Sequence, residues 1–375
     1  MRLGLVADDV TGASDASVQF AKRGWETFVS WSLVPPSGSD PRTGTGVRPL
    51  SDPSVIAITT DSRAFPDEAA ETLTFDAVMR LIDTGIHRLF LKIDSTMRGS
   101  VRGQIAGALA AWRTRHADAQ ALVCPAYPRM GRTVEKNRLL VHGEPVETTP
   151  IGRDPVTPVK TSLMSQLIPA SPSITLADAA TDDGLNALAA SIAAAGPSVI
   201  AVGSGGLAEA LADVWTGDAA QLKLRPASDC SATGAIQWHR ADSTNPRILL
   251  LVTSLNPVSH VQVERLIETF PGIEVVLAPR ERVGSPSVAE TLAAEFSTLI
   301  DREKFDLVGL IGGDGARAAL KHLGASGIRI VGSAIEGIPI GIIIGGRADG
   351  MPVLTKAGGF GADDALVRAM ERILA

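Results

Sequence analysis

Two cysteines in 375 residues, a single tyrosine and an aromatic share of 4% are the first shortages of this chain. Cys124 and Cys230 lie far apart and show no C-x-x-C or Cys/His spacing, which argues against a disulfide framework and a zinc site. Cys124 sits in the apolar run 121–125 and reads as a buried, inert thiol. Basic excess is also missing: 35 Lys and Arg against 41 Asp and Glu leave a net charge of -6, so nucleic acid is not an expected partner. No apolar run approaches the roughly 20 residues of a membrane helix, since even 338–344 is interrupted by Pro339 and Gly341. The opening run 3–7 is cut off by Asp8-Asp9, too soon for a signal peptide, and a cytoplasmic protein away from membranes is expected. His142, His239, His260 and His322 lack ligand spacing and read as surface or core histidines.

What is present is a globular composition, 45% hydrophobic and 20% charged, on a chain longer than one core usually supports. Short runs rich in Val, Ile and Leu alternate with Ala-rich helical patterns, the signature of parallel α/β units. Strands are expected at 3–7, 55–59, 88–92, 121–124, 198–202, 248–252, 274–277 and 307–311. Helices are expected at 13–23, 66–84, 102–112, 184–195, 206–215, 259–270, 287–300 and 316–323. Residues 35–53 read as a surface loop, and the polar stretch 225–246 reads as a domain boundary. The expectation is an α/β fold of two doubly wound domains with mainly parallel sheets and a ligand cleft between them, divided as 1–234 and 235–375.

In such sheets ligands gather beyond the carboxyl ends of strands, and the polar residues concentrate there. The first strand runs into Asp8-Asp9-Val10-Thr11-Gly12-Ala13-Ser14-Asp15. Either Thr11 or Ser14 caps a helix and the aspartates are turn residues, or Asp8, Asp9 and Asp15 form a carboxylate group able to accept a hydroxyl proton or order a sugar. Lys92, Asp94 and Arg98 follow another strand, and Arg63 a third; these cations can neutralise a carboxylate or phosphate, Arg by a planar fork. The combination points to a small hydroxylated acid. In the second half, Gly312-Gly313-Asp314-Gly315 joins a strand to a helix and lets backbone amides approach a phosphate. Gly203-Ser204-Gly205-Gly206, Thr253-Ser254-Leu255-Asn256-Pro257 and Gly358-Gly359-Phe360-Gly361 beside Lys356 repeat the theme, though none is a Walker A loop.

Together these segments resemble the four-carbon acid sugar kinase family. The resemblance runs through Ala7-Asp8-Asp9-Val10-Thr11-Gly12-Ala13, Thr60-Asp61-Ser62-Arg63, Lys92-Ile93-Asp94-Ser95-Thr96-Met97-Arg98-Gly99, Pro125-Ala126-Tyr127-Pro128, Gly131-Arg132-Thr133 and Lys356-Ala357-Gly358-Gly359-Phe360-Gly361. It implies an ATP-dependent kinase, with Mg2+, acting on the terminal C4 hydroxyl of threonate, erythronate or a 3-oxo-tetronate. It also implies Asp8, Asp9, Arg63, Lys92, Asp94 and Arg98 around the acid, and the residues themselves lead us to expect Asp8 and Asp9 as catalytic and Asp15 as a further contact to the acid. Gly203, Ser204, Ser254, Asn256, Gly312, Gly313, Asp314, Gly315, Gly358 and Gly361 would hold the nucleotide. Gly315 departs from the pattern, since the resemblance implies Thr there. No protein ligand for the metal is assigned, and a homo-oligomer is left open. Two alternatives remain: a protein that binds sugar acid and nucleotide without turnover, and a dinucleotide-dependent dehydrogenase, which lacks its G-x-G-x-x-G after the first strand.

Overall fold

A computed structural model describes residues 1–31, 53–154, 156–215, 246–279 and 287–374. The chain forms two compact units, one of Met1–Arg23 with Ser54–Lys223 and one of Gly24–Pro53 with Leu224–Ala375. Strands and helices are numbered below in chain order.

The first unit is built on β1 (Leu3–Ala7), β3 (Val55–Thr59), β4 (Arg88–Lys92), β5 (Gln120–Cys124), β9 (Ile174–Leu176) and β10 (Val199–Gly203). Neighbouring strands in the order β3-β1-β4-β10-β5-β9 pair in parallel throughout. Helices α1 (Val10–Ala21), α2 (Asp67–Asp83), α3 (Val101–Trp112), α5 (Asp182–Ala195) and α6 (Gly205–Val214) pack on this sheet. Every residue of β1 and β3 is buried, as expected of central parallel strands covered on both faces. The register is level at the carboxyl ends: Ala7 lies opposite Thr59 and Lys92, and Gly203 opposite Lys92 and Cys124. Whatever follows each strand therefore lands on one edge of the sheet. A short α4 (Met164–Leu167) and a small antiparallel sheet of β6 (Arg132–Glu135), β7 (Arg138–Val141) and β8 (Glu144–Pro145) complete the unit.

The second unit carries β11 (Ile248–Val252), β12 (Glu274–Leu277), β13 (Leu307–Ile311) and β16 (Pro352–Lys356), parallel in the order β12-β11-β13-β16. Beyond β16 the sheet turns antiparallel through β15 (Ile338–Ile344), β14 (Gly327–Ile335) and β2 (Thr27–Ser30). Helices α7 (Pro257–Thr269), α8 (Ser287–Arg302), α9 (Gly313–His322) and α10 (Ala365–Leu374) flank it. On α10 the buried residues Ala365, Leu366, Ala369, Met370 and Ile373 recur at helical spacing and pack with Phe28, Leu250, Ile340 and Leu354. Each large side chain among them contributes about 1.5–3 kcal/mol by leaving water.

The α/β class and the mainly parallel sheets agree with the expectation from sequence. Both the loop 35–53 and the cut near 235 fall largely or wholly outside the described residues. Within the expected first domain, however, β2 pairs with β14 and so belongs to the second unit. The run 338–344, noted above only as too broken for a membrane span, is a strand of a hairpin whose two-residue turn holds Gly337 at φ 77°. Helices α1 and α9 begin three residues earlier than the apolar period indicated, because polar or glycine residues at their starts cap rather than interrupt them. Among the described residues no helix is long and apolar enough to cross a membrane.

Candidate active site

In the first unit the strand order reverses at β1, with β3 on one side and β4 on the other, so the crevice above β1 and β4 is where an open sheet offers a ligand site. Three strand ends deliver side chains to it. Arg63, from the turn after β3, donates through Nε and Nη2 to Oδ2 and Oδ1 of Asp8, both at 2.8 Å. Its Nη1 lies 2.5 Å from Asp9 Oδ2, and Asp94 Oδ2 is 3.9 Å from Nη2. Asp9 also caps α1, its Oδ1 accepting from the Gly12 amide and, at 3.2 Å, the Thr11 hydroxyl. The cap is thus Asp9 rather than Thr11 or Ser14, and Asp9 combines capping with ion pairing.

Asp94 is the second hub. It accepts from the Thr96 amide at 2.9 Å, from the Thr96 hydroxyl, and from Arg98 Nη2 at 2.8 Å. Burial pushes its carboxyl up, but Arg98 and Arg63 outweigh burial and hold it well below the usual carboxylate range. Arg98 reaches on to Asp154 at 3.4 Å, tying the cluster to the turn before residue 156. Asp61 and Met97, in the turns that carry Arg63 and Arg98, hold left-handed φ values of 48° and 61°, a conformation uncommon outside glycine and frequent at functional turns. A cleft of about 500 Å³, lined by Arg63, Pro66, Met97, Gly99, Thr157 and Gln166, opens beside the cluster. Its size suits a small ligand.

The remaining expected residues of this unit are more scattered. Lys92 is buried and donates to the Ile93 carbonyl at 3.1 Å, with its amine against Gly12. Asp15 is buried too, but its carboxylate lies against Gly205 and Tyr127, at the start of α6 rather than at Arg63. Gly203 and Ser204, expected with the nucleotide, stand in this unit, as the expected division at 234 has them. Ser204 caps α6, donating to the Ala126 carbonyl at 2.7 Å and accepting from the Gly206 amide, so its hydroxyl has a structural task. One residue escaped sequence reasoning as a site candidate: Arg132, in β6. Burial lowers its pKa, Asp94 raises it and Arg98 lowers it, which places its charge within reach of both. Only the three-dimensional fold brings a strand of the small sheet to Asp94.

The second unit repeats the reversal at β11, between β12 and β13, and three turns follow β11, β13 and β16 at the same edge. Gly312, at φ 106°, caps α9 and donates its amide to the Lys356 carbonyl at 3.1 Å. A Cβ at Gly315 would overlap the Thr253 side chain, and one at Gly358 would overlap Ser254 Oγ. The missing side chain at 315 is therefore matched by Thr253, which fills the vacated space and brings a hydroxyl of its own to the start of α9. Asn256 caps α7 through Val258 at 3.0 Å, and its amide group lies against Gly359. Asp314 sits in the first turn of α9, and Gly361, at φ 85°, closes the turn after β16. Thus Ser254, Asn256, Gly312, Gly313, Asp314, Gly315, Gly358 and Gly361 share this unit's strand-end turns, and Thr253 and Lys356 join them.

Comparison with known proteins also divides the chain in two. A family model described as a sugar-binding N-terminal domain matches residues 3–173, and one described as a nucleotide-binding C-terminal domain matches 207–366. The chain is 36% identical to a D-threonate kinase of Bordetella bronchiseptica, over 99% of this chain and 97% of the relative. It is 27% identical to a D-erythronate kinase of Heliobacterium modesticaldum, over 99% and 96%. A crystal structure of a domain of unknown function from Bordetella bronchiseptica, a domain-swapped dimer with bound citrate, matches with a TM-score of 0.50 and 32% identity, covering 100% of this chain and 98% of that one.

Proposed function

The chain belongs to the four-carbon acid sugar kinase family, and from that membership we propose that it transfers the γ-phosphate of ATP to the terminal C4 hydroxyl of threonate, erythronate or a 3-oxo-tetronate. It is a kinase; the acid, the nucleotide and the residue roles are the proposal. The observation that carries it is the Arg63 fork holding Asp8 while its third arm meets Asp9, at the sheet edge of the unit matched to sugar binding.

In this reading Asp8 fixes Arg63, and Asp9, already held by its cap, takes the proton of the attacking hydroxyl. Arg98 and Arg132 grip the substrate carboxylate, and Asp94 orders Arg98 and a sugar hydroxyl. The citrate in the Bordetella structure is itself a hydroxylated carboxylic acid, which supports the ligand class. The glycine turns of the second unit offer amides to the phosphates, where positioning and electrostatics do most of the work of phosphoryl transfer. Among the described residues no group of three His, Cys, Asp or Glu is placed to hold a metal ion. These residues fit Mg2+ that arrives on the triphosphate, as that ion keeps its waters and binds through phosphates with one or two carboxylates; Asp314 and the Thr253 and Ser254 hydroxyls would face it, and it would spread phosphate charge. Action in the cytoplasm, where ATP is supplied, and a homo-oligomer like the Bordetella dimer complete the proposal.

Incubation of the purified chain with ATP, Mg2+ and a panel of four-carbon acids, read by mass spectrometry and by phosphorus NMR, tests it. One acid should gain a phosphate at C4. Failure of every acid in the panel, or a phosphate on another oxygen, would refute the assignment.

A further inference from the structure

The turn that follows β16 is held through its carbonyls by Lys356 and by side chains of α7. Lys356 Nζ donates to the carbonyls of Ala357 at 2.9 Å and Gly358 at 3.1 Å. Ser259 Oγ, from α7, adds a second bond to the Gly358 carbonyl at 2.8 Å. One turn further along α7, Gln262 Nε2 donates to the carbonyls of Phe360 at 3.0 Å and Ala362 at 2.7 Å. Ser259, Gln262 and Lys356 are all buried, so these donors form a floor beneath the turn rather than a surface contact.

A trans peptide sets each N–H opposite the carbonyl of the same unit, and the described peptides here are trans. Pulling the carbonyls of Ala357, Gly358, Phe360 and Ala362 toward the floor therefore turns the amides of Gly358, Gly359, Gly361 and Asp363 away from it. A backbone bond from the Phe360 amide to the Ala357 carbonyl at 3.2 Å tightens the turn, and the Ala365 amide adds one to the Ala362 carbonyl at 3.0 Å. Successive amides facing the same way make a concavity suited to an anion. A side chain at 358 is barred by Ser254, whose hydroxyl takes the space a Cβ would need, so the backbone there packs directly against Ser254.

We propose that Ser259, Gln262 and Lys356 are positioning residues that orient this amide face toward the phosphates of the nucleotide. This rests on the reading of the second unit as the ATP site. None of the three touches the ligand; each acts through the carbonyl it holds, and a polyphosphate is the chemistry the face would take.

The test compares the full chain with Ser259→Ala, Ser259→Thr and Gln262→Leu, each checked for an unchanged circular dichroism spectrum. Calorimetry uses ADP, adenosine and inorganic tripolyphosphate, and kinetics follow ATP and the acid separately. Ser259→Ala and Gln262→Leu should raise the ADP and tripolyphosphate Kd, and the KM for ATP, by about tenfold. The Kd for adenosine, the KM for the acid and kcat at saturating ATP should stay within twofold, and Ser259→Thr should behave as the parent. If Gln262→Leu does not fold, the serine pair decides alone. Equal losses for adenosine and ADP, or no loss in Ser259→Ala, would overturn the inference. If the parent binds tripolyphosphate with this dependence yet transfers nothing from ATP, the kinase reading fails and the positioning role stands.

Discussion

On the function proposed above, the two units solve the same problem, holding an anionic ligand at the edge of a parallel sheet, with opposite materials. In the first, the working groups are side chains of both signs, and buried Asp8, Asp9 and Asp94 are each paired with arginine. In the second they are main-chain amides, and the side chains around them are small or absent. Paired charges are set in place before a ligand arrives, and removing one leaves its partner buried and exposed to the full cost of desolvation. An amide face carries no net charge and fails for a different reason, namely loss of space or of orientation. The first unit should therefore be sensitive to charge and the second to volume.

The comparison breaks most sharply at Asp9. Asp9→Asn keeps a good helix cap but removes the carboxylate, and kcat should fall about 100-fold or more at unchanged circular dichroism; near-normal turnover would take Asp9 out of the base role. Arg98→Lys keeps the charge and loses the fork, so the KM for the acid should rise about 30-fold while the KM for ATP holds, in initial-rate measurements. Gly315→Thr tests volume instead. It should raise the KM for ATP about tenfold through overlap with Thr253, and the added change Thr253→Ala should recover much of the loss. Failure of the second change to help would show that the two positions do not share one space.

The last effect is read in stability, not in turnover. Burial pushes the Lys356 amine down to about 7, whereas an unfolded chain holds it near its ordinary value of about 10.4. Between those values the unfolded state carries a proton that the native state lacks, so stability should rise with pH across that window and show no slope from this group below about 7. Lys356→Met should flatten that rise by up to ~1.4 kcal/mol per pH unit, in urea unfolding curves measured from neutral pH upward.

How much of this could be read beforehand follows from sequence distance. The strand ends were legible, because a fully apolar run such as 3–7 or 307–311 stops abruptly at polar or glycine residues, and the helices between them keep their period. So Asp8, Asp9, Arg63, Asp94, Arg98 and the glycines at 312–315 and 358 could be named from order alone. Gly203 and Ser204 lie in the first unit, where a Gly-Ser-Gly-Gly turn looks the same whether it serves a phosphate or caps α6. Arg132 and Gln262 could not be singled out: the first feels the charge of Asp94 from a separate small sheet, and the second bonds carbonyls about a hundred positions away. The hairpin of β14 and β15 escaped because apolar residues on both faces leave no alternation to read.

Strand β2 bears on how the polypeptide matures. Thr27–Ser30 is synthesised early, yet its partner Gly327–Ile330 leaves the ribosome near the end, and Phe28 meanwhile lacks the core it will enter. The C-terminal half alone cannot supply the strand that pairs with β14, so a fragment starting at residue 246 would expose the β14 edge to other chains. Any attempt to express the halves separately has to carry that early strand along with the later ones.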